Sequence, residues 1–223
     1  MTTFVLVPGA GGVAWYWHRV LPSLEAAGHR AIAVDLPGAD PSLGLPDYVD
    51  LVLRAADGHD EIVLVAQSMG AFTALGCCSR LVLRRLVLLN AMIPAPGETA
   101  AEWWQNTDWG AARVAAARAG GYPQEVDLET YFLHDVPAAV VAPGAHLQRP
   151  EADIAFAQPC DFERWPDAPT IVLAGRDDRF FPLGFQRRLA RERLGLDVVE
   201  VPGGHLAALS EPDALAEVLL TLA

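Results

Sequence analysis

Four short apolar runs punctuate the first 90 residues of the chain: Phe4-Val5-Leu6-Val7, Ala31-Ile32-Ala33-Val34, Ile62-Val63-Leu64-Val65-Ala66 and Leu86-Val87-Leu88-Leu89. Each is four or five residues long, rich in branched aliphatics and free of polar alternation. Strands covered on both faces of a parallel sheet have this texture. Helix-period patterns over 17–27, 45–57 and 70–79 separate the runs. Strand, helix, strand in succession predicts an α/β fold. The strand texture returns at 170–174 and 197–201, and a last helix is expected over 213–222. The expected architecture is therefore a mostly parallel sheet of about six strands flanked by helices. Residues 92–168 interrupt this pattern with Trp103, Trp104, Trp109 and Trp165, several prolines and helical stretches, but no strong strand. A core of 1–91 and 169–223 carrying a small helical cap, 92–168, is the simplest reading. Packing of 92–168 onto the sheet as part of one core is the alternative.

Composition narrows the function. With 223 residues, 52% of them hydrophobic, the chain has material for one well-filled core. Sixteen Lys and Arg against 28 Asp and Glu leave a net charge of −12, which disfavours nucleic acid and anionic membrane surfaces as partners. No apolar stretch approaches the ~18 residues of a membrane span. Met1-Thr2-Thr3-Phe4 lacks the basic start of a signal peptide. Three cysteines without metal-type spacing read as reduced thiols, so a cytoplasmic location is expected. No metal and no organic cofactor is expected; monomer and homodimer both stay open.

The chemistry concentrates where strands end. The run 62–66 passes into Gln67-Ser68-Met69-Gly70 and then a helix. Small residues two before and two after Ser68, here Ala66 and Gly70, allow the sharp turn of a nucleophile elbow. Such a turn lifts Ser68 above the sheet at a helix N-terminus, where N–H groups favour a developing oxyanion. An ordinary serine N-cap fits the same five residues. A serine nucleophile needs a base. Among His18, His29, His59, His134, His146 and His205, the last follows Pro202-Gly203-Gly204 directly after a strand, on the carboxyl edge where Ser68 must lie. A base needs an orienting acid, and the run 170–174 ends in Gly175-Arg176-Asp177-Asp178 on that edge. Serine, acid, histidine is the chain order of one hydrolase design. Two oxyanion donors are then expected: the N–H of Met69 and, from the loop Pro8-Gly9-Ala10-Gly11-Gly12, the N–H of Ala10. Neither a dinucleotide nor a Walker phosphate loop has this spacing.

With those residues placed, the chain resembles the α/β-hydrolase superfamily, and within it the methyl-ester esterase and hydroxynitrile lyase branch. Residues 8–17, Pro-Gly-Ala-Gly-Gly-Val-Ala-Trp-Tyr-Trp, are similar to that branch's H-G-A-x-x-G-A-W-x-W run. Asp35-Leu36-Pro37-Gly38, Gly175 to Pro182 and Gly203-Gly204-His205-Leu206 resemble its later segments. The G-x-x-D-x-x-x-P register of the second of these selects Asp178 over Asp177. Three departures stand out: Pro8 replaces the usual histidine, Ala66 the first elbow glycine, and Leu206 the lysine with which the lyases hold cyanide. The last points to an esterase. The resemblance implies a serine hydrolase of a small, largely apolar carboxylic ester, working through Ser68, His205 and Asp178 and an acyl-enzyme. A thioester or lactone hydrolase, a non-hydrolytic lyase or cyclase and a ligand-binding protein are the other readings. Apolar pocket walls are expected from the cap aromatics Trp103, Trp104, Trp109, Tyr131, Phe132 and Phe156, with Trp103, Trp104 and Phe132 foremost.

Overall fold

The computed structural model describes all residues, 1–223. Six strands, β1 (Thr3–Val7), β2 (Arg30–Ala33), β3 (Ile62–Gln67), β4 (Leu83–Leu89), β5 (Thr170–Gly175) and β6 (Val198–Val201), form one sheet in the order β2-β1-β3-β4-β5-β6. Every pairing is parallel, so the expected α/β architecture is present and its sheet is wholly parallel. The direction in which strands are added to the sheet reverses between β1 and β3: β2 lies to one side of β1 and all later strands to the other. A crevice forms at the carboxyl ends of strands that flank such a reversal.

Side chains alternate across the sheet and feed two cores. Val5, Val7, Leu64, Ala66, Leu86, Leu88 and Val172 join a core with α2 (Leu45–Ala56), α3 (Gly70–Cys78) and α9 (Leu183–Leu194). Phe4, Leu6, Val63, Val65, Val87, Leu89 and Leu173 point the other way, to α1 (Leu21–Ala26) and α11 (Pro212–Thr221). Central β1 and β3 are buried along their whole length, whereas edge strands β2 and β6 are half covered. This period of two within continuous apolar runs is what a doubly covered sheet requires.

The helix expected over 17–27 is split. Ala14–Trp17 is a 3-10 turn, and regular helix begins at Leu21 with Pro22 in its first turn, where the missing N–H costs nothing. Between β4 and β5 the chain is helical: α4 (Ala100–Asn106), α5 (Trp109–Gly120), α6 (Leu128–Tyr131), α7 (Ala138–Gly144) and α8 (Asp153–Ala157). Ala100, Trp103, Ala155 and Cys160 enter the first core, Leu133 and Val136 the second. Short α10 (Ala207–Ser210) precedes α11. No helix is long and apolar enough to cross a membrane.

Candidate active site

Ser68 follows β3 with φ +52°, a left-handed backbone that only a turn held from several sides keeps in a non-glycine residue. Its N–H donates to Leu89 O, and its carbonyl accepts from Met92 and Ala71. The residues around it are small for a reason. A Cβ on Gly70 would lie 2.4 Å from Pro8 O, and one on Gly9 would lie 2.9 Å from Ser68 Cβ. The β1 loop and the elbow therefore touch backbone to backbone, as the sheet reversal between β1 and β3 dictates. Neither the N–H of Ala10 nor that of Met69 has an intramolecular acceptor.

His205 arrives from the loop after β6 and is buried. Its Nε2 lies 3.1 Å from Ser68 Oγ and its Nδ1 2.9 Å from Asp178 Oδ2. A carboxylate only accepts, so Nδ1 carries the proton and Nε2 is left to accept from the serine hydroxyl. Asp178 Oδ1 accepts the N–H groups of Phe180 and Phe181, both at 2.8 Å, which fixes the carboxylate in the turn after β5. Asp177 is exposed. The structure brings Ser68, His205 and Asp178 together in one hydrogen-bonded line; Met69 follows the serine in the chain, and the loop that carries Ala10 meets the elbow through Pro8 and Gly9.

Several contributors were not read from the sequence. Asn90, fully buried at the end of β4, donates through Nδ2 to the carbonyls of Gly204 (3.0 Å) and His205 (3.2 Å) and accepts from Gly175 N–H (2.6 Å). It ties the β5 and β6 loops together. Gln67 adds a donor to His205 O, and Asp135 Oδ2 accepts Gly204 N–H at 2.6 Å. Gln186 Nε2 donates to Phe181 O at 2.7 Å. Position at a strand's carboxyl end was the one available signal, and it flagged Asn90 and Gln67 no more than their neighbours.

The aromatic expectations need correction. Trp103 has no exposed surface: its ring packs on Phe181 and Phe185, and its Nε1 donates to Ile93 O at 2.9 Å. It is a core residue with no surface open to solvent. Tyr131 is likewise fully buried, its hydroxyl donating to Pro123 O. Trp104 and Phe132 are half-buried. They belong to a continuous aromatic group: Trp104 on Trp109, Trp109 on Phe180, and Phe180 on Phe132. Phe132, Phe180 and Phe181 stand nearly perpendicular to the His205 ring, with centroids 5.3, 5.1 and 5.0 Å away. Phe180, two residues after Asp178 and half-buried, adds an aromatic face beside the imidazole from outside 92–168, and the adjacent Phe181 is fully buried.

Titration elsewhere follows burial. Burial pushes the Cys78 thiol up to about 12 and raises Cys77 and Cys160 as well, so none is a thiolate nucleophile at neutral pH. Burial raises the Tyr16 phenol also, leaving it neutral. No group of three or more His, Cys, Asp or Glu side chains is placed to hold a metal ion. A cavity of about 1270 Å³ lies between α2, α3 and residues 158–168 and shares no residue with the Ser68 group. Ser68 itself is only 7% exposed.

A sequence profile described as the alpha/beta hydrolase family matches residues 4–218. The chain belongs to the alpha/beta hydrolase family. Pyrethroid hydrolase of Sphingobium wenxiniae is 25% identical over 253 residues, covering 100% of this chain and 88% of that protein. Polyneuridine aldehyde esterase of Rauvolfia serpentina is 26% identical over 253 residues, covering 98% and 94%. The crystal structure of a polyneuridine aldehyde esterase superposes with a TM-score of 0.80 at 20% identity, covering 100% of this chain and 99% of that one, which supports the shared fold. The esterase-like branch read from the motifs is borne out by these relatives, and with it the enzyme class, a carboxylic ester hydrolase.

Proposed function

We propose that the protein is a serine esterase of small, largely apolar carboxylic esters, with Ser68 as nucleophile, His205 as general base and acid, and Asp178 as its orienting carboxylate. The observation that carries this reading is the line Ser68 Oγ–His205 Nε2 (3.1 Å) and His205 Nδ1–Asp178 Oδ2 (2.9 Å) at the carboxyl edge of the sheet. Ser68 Oγ adds to the acyl carbonyl as its proton moves to His205 Nε2. Asp178 holds the Nδ1–H tautomer and offsets the imidazolium charge. The N–H groups of Met69 and Ala10, free of other acceptors, stabilise the tetrahedral oxyanion. His205 returns the proton to the leaving alcohol, then activates the water that releases the acid.

The helical segment 92–168 acts as the cap over this edge. Trp104, Phe132 and Phe180 form the apolar wall. A nearly closed nucleophile and walls of phenyl and indole rings favour a small, uncharged acyl or alcohol group. One relative of 26% identity is named norfluorocurarine synthase 1. A non-hydrolytic lyase or cyclase on the same residues is therefore the second reading.

Hydrolysis of p-nitrophenyl esters from acetate to decanoate, by wild type and Ser68→Ala, tests the proposal. Wild-type turnover with an optimum at short chains, abolished in Ser68→Ala, is expected. A folded wild type that neither turns over the series nor forms a phosphonate adduct at Ser68 would reject the acyl-enzyme and favour the second reading.

A further inference from the structure

The loop after β1 is irregular, and its placement decides where the N–H of Ala10 points. Within the loop, Gly9 O accepts Gly12 N–H at 3.0 Å. The peptide group is planar and trans, so pinning Gly9 O aims the Ala10 N–H on its opposite side. Pro8 offers no N–H and no polar side chain to hold this turn.

The hold comes from residues 149–152, more than a hundred positions away. Arg149 Nε donates to Gly11 O at 2.6 Å. Its Nη2 is shared among Gly12 O (3.1 Å), Leu36 O (2.6 Å) and Asp35 Oδ2 (2.8 Å). Glu151 Oε2 accepts Gly11 N–H at 2.7 Å, and its Oε1 accepts the Tyr48 hydroxyl at 2.6 Å. Ala152 N–H donates to Gly38 O at 2.7 Å. The backbones also meet: a Cβ on Gly11, whose φ is +83°, would lie 2.4 Å from Arg149 O. None of these hydrogen bonds reaches Ser68, His205 or Asp178.

We propose that Arg149 and Glu151 are positioning residues for the oxyanion loop, a guanidinium–carboxylate clamp that keeps the Ala10 N–H aimed at the carbonyl oxygen attacked at Ser68. This rests on the serine-esterase reading above. Glu151 also engages the Gly11 N–H, and Gly9 O the Gly12 N–H, so neither donor competes with that of Ala10. A displacement of about 1 Å in such a group costs on the order of 10²-fold in rate, and loss of one oxyanion donor about 10²–10³-fold.

The test compares wild type, Arg149→Ala, Glu151→Ala and Glu151→Gln on the best p-nitrophenyl ester, together with amide hydrogen exchange of the Gly9–Gly12 loop. Glutamine keeps one oxygen for Gly11 N–H and offers its amide to a reoriented Tyr48 hydroxyl. Expected are a fall in kcat of about 10-fold or more in both alanine variants with KM within about twofold, recovery to near wild type in Glu151→Gln, and faster exchange confined to the loop. Unchanged loop exchange would show that the clamp holds nothing. Wild-type kcat despite faster exchange would show that the hold is irrelevant to catalysis. Either overturns the proposal. An inactive wild type that is not labelled by a phosphonate would instead overturn the esterase reading and this proposal with it.

Discussion

Asp177 and Asp178 are neighbours in the chain, yet only Asp178 turns inward, its two oxygens spread between a pair of backbone N–H groups and the imidazole. The proposed roles separate the two by mutation. Asp178→Asn should lower kcat by about 10⁴-fold through the wrong His205 tautomer, while Asp177→Asn, at an exposed side chain, should stay near wild type; parallel steady-state kinetics check both. Gly70→Ala carries a different penalty. The new methyl would sit 2.4 Å from Pro8 O, so the elbow or the β1 loop must yield, at about 1–3 kcal/mol and with a fall in turnover. Thermal unfolding and kcat measured together test this. Ser68 and His205 were readable because their local signals, an elbow and a glycine pair after a strand, are short-range. Asn90 was not: its partners Gly175, Gly204 and His205 lie over 80 positions away, and no local pattern distinguishes an asparagine that bridges two loops from one that ends a strand in water.

Strands in the sheet interior announced themselves because burial on both faces leaves no room for polar side chains. β4 is the instructive exception. Its expected start at Leu86 moves back to Leu83: Arg85 pairs with Val63 in the ladder, Arg84 is the extra residue where the register shifts, and their side chains turn to Glu61 and to the carbonyls of Leu222 and Ala223. Two arginines broke the apolar run without breaking the strand. The tryptophan pair in α4 was ambiguous for a similar reason: adjacent residues on a helix point about 100° apart, so one meets the core and the other the edge. Trp103→Ala should cost about 3–5 kcal/mol of stability, seen in denaturant titration. Trp104→Ala should shift the preferred ester chain length with a smaller change in midpoint, seen in the p-nitrophenyl series. Asn90→Ala, which leaves buried carbonyls and an N–H unpaired across the β5 and β6 loops, should cost about 3 kcal/mol and lower kcat as His205 loses its support.

The segment between β4 and β5 is tied to the sheet layer by a buried ion pair: Glu98, just before α4, meets Arg193 of α9, with Asn106 adding a hydrogen bond to the carboxylate at 2.7 Å. Burial by itself would raise the Glu98 carboxyl, but the Arg193 guanidinium and the hydrogen bonds hold it below its ordinary value of 4.5. A depressed acid stabilises the folded state above its unfolded value and loses that contribution as pH falls through the folded one. Glu98→Gln should therefore lower stability by about 3 kcal/mol at pH 7, and the gap to wild type should narrow steadily below about pH 4.5; melting temperature against pH for both proteins checks it. The pairing of β4 with β5 has a further consequence. It spans roughly 80 intervening residues, so the sheet closes only after a long loop has been drawn in. Ser68 precedes that connection in the chain and His205 follows it. A partly folded chain in which β5 and β6 have not docked thus carries the elbow without the proposed base beside it. On the proposed roles, ester cleavage requires β6 and its loop to dock beside the elbow, so the return of activity during refolding should keep time with closure of the sheet.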